Sequence, residues 1–176
     1  MAVRCNVECT GRNGRVDALE YLTKIVEPTI SELEKDPADL RKAFLACMAT
    51  KHTVDHIAHE YNRDISDISK QVLSAAPHFR WISDVANLAK HAEFDAKRYK
   101  KRTTFTTFAA IHNGPSAAFS DGTYFSDGTS WTDATKTVRV RYSDNSGIQL
   151  VDVTAAVRSV ATALRKYLES PSMQAP

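Results

Sequence analysis

The tetrapeptide Asp144-Asn145-Ser146-Gly147 stands between two short segments, residues 137–142 and 148–153, that read as strands. Asx residues and glycine supply the backbone geometry of tight turns, so this stretch predicts a β-hairpin. In Val138-Arg139-Val140-Arg141-Tyr142 a period of two sends one face to the core and leaves the arginines on the other. Upstream, residues 103–111 are rich in Thr and Phe, Asn113-Gly114-Pro115 reads as a turn, and Asp-Gly pairs at 121–122 and 127–128 punctuate further short segments. A small β part is therefore expected over about residues 103–153.

Helical periodicity surrounds it. Leu19, Leu22, Ile25 and Val26 predict a first helix from about Val16 to Pro28, with Ile30 and Leu33 continuing the stripe past a kink or break. Asp36 as N-cap and Pro37 as first helical residue would open a second helix reaching about Tyr61. A third fits residues 65–75, capped by Asp64 or Ser66, and a fourth runs from His78 to about Ala96. After the hairpin, Asp152 or Thr154 can cap a last helix with the stripe Val157, Val160, Ala161, Leu164 and Leu168. The expected fold is mainly α with a small β part: an antiparallel helical bundle with a β-meander or hairpin insertion before the C-terminal helix. Residues 1–15 read as an arm, 16–170 as one domain and 171–176 as a flexible tail.

With 43% hydrophobic and 25% charged residues in 176, the composition is that of a globular domain, which excludes disordered and fibrous classes. No apolar run has membrane length and the first residues lack the core of a signal peptide, so a cytoplasmic protein without membrane contact is expected. Cys5, Cys9 and Cys47 form no paired framework. A net charge of +2 does not itself call for nucleic acid, so local clusters carry the functional argument.

Three clusters stand out. On the fourth helix Arg80, Asp84, Asn87 and His91 follow at spacings of four, three and four, which stacks a cation, a carboxylate, an amide and an imidazole along one line. The same stripe can be a solvated face with an Arg80–Asp84 pair. On the second helix His52, Asp55, His56 and His59 occupy a narrow arc. Three imidazoles and a carboxylate are first-row metal ligands when a neighbouring helix completes the sphere, so a divalent transition metal is the alternative to a protein with no cofactor. Histidines on packed helices also serve as plain hydrogen-bonding groups. The third cluster, Lys97, Arg98, Lys100, Lys101 and Arg102, can grip phosphate, although the helix dipole also favours cations at a helix C-terminus. Because the second helix is apolar on both sides, its histidine stripe is expected to meet Asn87 and His91 in one shared pocket.

The run Ala86-Asn87-Leu88-Ala89-Lys90-His91 resembles the Arg-Asn-x-x-x-His motif of the HEPN (higher eukaryotes and prokaryotes nucleotide-binding) superfamily. Members are compact helical bundles that often dimerise, and many are RNases of toxin–antitoxin and phage-defence systems. The resemblance implies a catalytic His91 with Asn87 beside it, RNA as partner, and a homodimer. Ala86 stands where the motif has arginine, which makes Arg80 or Lys90 the candidate substitute for holding phosphate. Residues 40–168 are also similar to a group of uncharacterised bacterial helical proteins, a resemblance that carries no function. Two readings follow. One is an RNA-binding or RNA-cleaving protein of a bacterial or phage conflict system. The other is a non-enzymatic binding or assembly module with a histidine-rich polar or metal site between helices.

Overall fold

The computed structural model describes residues 16–90, 111–115, 136–144 and 147–170. Within them the elements are α1 (Ala18–Tyr21), a π-helical segment (Leu22–Val26), α2 (Glu27–Lys35), α3 (Leu40–Glu60), α4 (Ile65–Ala75), α5 (Phe79–Lys90), β1 (Ile111–Pro115), β2 (Lys136–Asp144), β3 (Gly147–Asp152) and α6 (Val153–Leu168). The fold is mainly helical, with a small antiparallel sheet before the last helix. Among the described residues no helix is long and apolar enough to cross a membrane.

The first helix does not break at Pro28. Proline has no N–H and its ring crowds the carbonyl four residues back, and the chain answers with the π-helical segment just ahead of it, where Glu27 N–H reaches Leu22 O. The wider turns shift the buried stripe to Ala18, Leu22, Val26, Ile30 and Leu33, and leave Leu19 and Ile25 exposed, contrary to the expected set.

Helix α3 starts later than Asp36 and Pro37 suggested. Asp39 is the N-cap, accepting from Lys42 N–H at 3.0 Å. Pro37 stays outside the helix because its carbonyl accepts from Val138 N–H of β2 at 2.9 Å. At the other end Arg63 N–H bonds Ala58 O and Asn62 N–H bonds His59 O, with Asn62 at φ 48°, the pattern of a Schellman stop. Helix α4 has the expected bounds, and Asp64 caps it by accepting from Ser66 N–H at 2.6 Å.

The sheet is a meander in the order β1-β2-β3. Asp144 pairs with Gly147, so the hairpin is present, while its connecting residues 145–146 lie outside the described set. Asn113, Gly114 and Pro115 are not a turn: they belong to β1, opposite Val138, Thr137 and Lys136. A strand on the sheet edge tolerates a proline that cannot donate to the ladder. The expected strand at 103–110 and the Asp-Gly pairs lie outside the described residues.

One cluster of buried apolar side chains joins these elements, with Leu22 and Leu33, Ile57 of α3, Ile68 of α4, Ile82 and Leu88 of α5, and Leu164 of α6. Val138 and Val140 enter it from β2, so the sheet docks on the helices through its valine face. Each such side chain contributes about 1.5–3 kcal/mol when withdrawn from water. The arginines lie on the opposite face as the alternation predicts, and they are unequally covered: Arg141 is exposed, whereas Arg139 is only 7% exposed.

Candidate functional site

Helix α5 packs along α3. Asp84 is 2% exposed, so it belongs to the interior and not to a solvated face. Arg80 sets its guanidinium carbon 5.6 Å from the Trp81 ring centroid, within cation–π range. Asn87 is half-buried, and its Oδ1 accepts from the Lys51 ammonium of α3. Lys51 is the residue that sequence reasoning missed. A single lysine in a mixed helix gives no periodic signal, and its role emerges only when α5 supplies the amide.

The histidine stripe faces elsewhere. His52 Nδ1 lies 2.8 Å from Asp55 Oδ2, with side chains 53% and 43% exposed. His56 stacks on Tyr21 of α1, with centroids 4.0 Å apart and planes 20° from parallel. Burial, and after it the Asp55 carboxylate, pushes the Tyr21 phenol above its ordinary range. His59 is exposed. At about 100° per residue, Lys51 and His56 project roughly 140° apart around α3. Helix α5, described up to Lys90, therefore meets α3 at the Lys51 margin and α1 meets it at the His56 margin, and the shared pocket expected with His91 falls partly outside the described residues. Among the described residues no three His, Cys, Asp or Glu side chains gather closely enough to hold a metal ion. Within the described residues His52 pairs with Asp55 and His56 with Tyr21, two local contacts on α3.

His91, Lys97, Arg98, Lys100, Lys101 and Arg102 lie outside the described residues, and α5 is described up to Lys90. Cys47, wholly buried in α3, has its thiol ionisation pushed far upward by desolvation, so it is chemically inert.

A cleft of about 320 Å³ between α2 and α6 was not foreseen. Ile30 and Ala161 line it with two ion pairs, Glu27–Arg165 and Glu34–Arg158. Both glutamates and both arginines are seven apart in the chain, a signal available in the sequence.

Compared with protein-family models, curated proteins and solved structures, the chain matches none. What the site does is argued from its own residues.

Proposed function

We propose that the chain is a cytoplasmic RNA-directed protein of HEPN type, acting in a bacterial or phage conflict system, with its site at the Lys51 edge of α3 and the C-terminal end of α5. The bond from Lys51 to Asn87 carries this reading. It supports it because the run Ala86-Asn87-Leu88-Ala89-Lys90-His91 lacks a cation at its first position, and Lys51 brings one to its second. A half-buried ammonium on a flexible stem can exchange an amide oxygen for a phosphate oxygen. The imidazole of His91, four residues after Asn87 in the sequence, would then move a proton to or from the ribose 2′-hydroxyl or the leaving oxygen. Lys97, Arg98, Lys100, Lys101 and Arg102 would follow the backbone.

The same bond, with buried Asp84 beside it, also favours a second reading, an assembly module whose interhelical polar contacts serve stability alone. Salt titration separates the two. RNA binding should weaken as salt rises, and replacing Lys97, Lys100 and Lys101 by Gln should flatten the log–log slope by about 2, at roughly 0.7 per phosphate for single strands. Binding that keeps its affinity and slope in the triple variant removes that segment from the site, and no RNA binding by the unaltered chain leaves the assembly reading.

A further inference from the structure

We infer that the second face of the sheet, opposite Val138 and Val140, binds a small oxyanion of the phosphate class through Arg139. Arg139 lies in the middle strand and is 7% exposed, as is Thr137 two residues before it on the same face. Its Nε donates to Thr137 Oγ1 over a long 3.4 Å. Its Nη2 is shut away from solvent, and among the described residues it meets no acceptor. A guanidinium cannot relieve this by losing its proton, and an ion stripped of water without a counter-charge is strongly disfavoured.

A carboxylate is close by. Asp152 is the cross-strand partner of Arg139 on β3, yet its Oδ1 accepts from Ala155 N–H at 2.9 Å as the N-cap of α6. The Nε bond tilts the guanidinium along β2 toward Thr137. Because β2 and β3 are antiparallel, that direction on β2 corresponds to the direction from Asp152 to Thr154 on the neighbouring chain. The first turn of α6 follows Asp152 directly, and there, among the described residues, Thr154 Oγ1 is another buried polar atom without a partner. An oxyanion seated at this end of the sheet would take the forked donor of Arg139, the two threonine hydroxyls and the positive end of the sixteen-residue helix α6. A tetrahedral oxyanion has enough lone pairs to accept from all of them, whereas a planar carboxylate matches the fork alone.

Thermal unfolding of the full chain tests this without RNA and away from the α3–α5 edge, so its outcome is independent of the proposed function. Inorganic phosphate should raise the melting temperature more than sodium chloride of equal ionic strength, with a shift that grows with concentration. Arg139→Met, which replaces a buried charge by an apolar chain of similar length, should lose the phosphate-specific shift. Thr154→Val, isosteric at the hydroxyl, should reduce it, and carries the test should Arg139→Met not fold. In a second arm, a larger shift from a nucleoside monophosphate assigns the site to a phosphomonoester, and an equal shift assigns it to the free ion. Equal effects of phosphate and chloride on the unaltered chain, or a phosphate shift retained in both variants, overturn the proposal.

Discussion

Arg165 of α6 holds Glu27 of α2 with both Nε and Nη2, at 2.9 and 2.6 Å, and Arg158 holds Glu34 in the same way. The higher-numbered arginine takes the lower-numbered glutamate, so the pairs fix α2 and α6 antiparallel. Partly exposed pairs contribute modestly, and Arg165→Ala is expected to cost about 0.5–1 kcal/mol, less at high salt. Exchanging the charges with Glu27→Arg and Arg165→Glu should recover most of that loss. Urea unfolding at two ionic strengths measures both, and a loss independent of salt contradicts an electrostatic role.

The stacked Tyr21–His56 pair predicts alkaline sensitivity. The phenol ionises at a higher pH in the fold than in the unfolded chain, because burial and Asp55 disfavour the phenolate. The neutral phenol therefore supports the fold fully up to about pH 10, and this support is lost as pH rises through the folded value. Tyr21→Phe keeps the ring over His56 and removes the ionisation. Its stability should fall less steeply above about pH 10 than that of the unaltered chain, and identical slopes would sink the argument. Tyr61, also pushed upward by burial, leaves a residual slope in both proteins.

The π-helical segment makes a contrast between neighbours. Leu22 is fully buried and Ile25 is exposed, although both fit the apolar stripe of an unbroken α-helix. Leu22→Ala should cost about 2–5 kcal/mol. Ile25→Ala should cost less than about 0.5 kcal/mol. Chemical denaturation of both variants decides it, and equal losses would restore the regular helix.

What the sequence made legible was local chemistry. Asp64 and Asp152 cap α4 and α6 because a cap needs only its own side chain and the next turn. The hairpin through Asp144 and Gly147 and the buried stripe of α6 were readable for the same reason. The failures depend on distant partners. Pro37 was lost to α3 because Val138 takes its carbonyl, and Asn113-Gly114-Pro115 became a strand because β2 lies beside it. In the candidate site, periodicity placed the histidines on one face of α3 but could not say that α5 meets the opposite margin, so Lys51 went unnoticed. Arg139 followed the strand alternation correctly, yet alternation alone does not tell whether a second face is covered.

Beyond the Lys51–Asn87 bond, the RNA-cleaving reading requires a catalytic His91. Cleavage of a short single-stranded RNA by the unaltered chain and by His91→Ala, with thermal unfolding followed on the same samples, tests it. Cleavage is expected from the unaltered chain, with a loss of about 10²-fold or more in His91→Ala and an unchanged melting temperature. Cleavage at the same rate in both proteins, or no cleavage by the unaltered chain together with a lowered melting temperature in His91→Ala, would contradict a catalytic histidine.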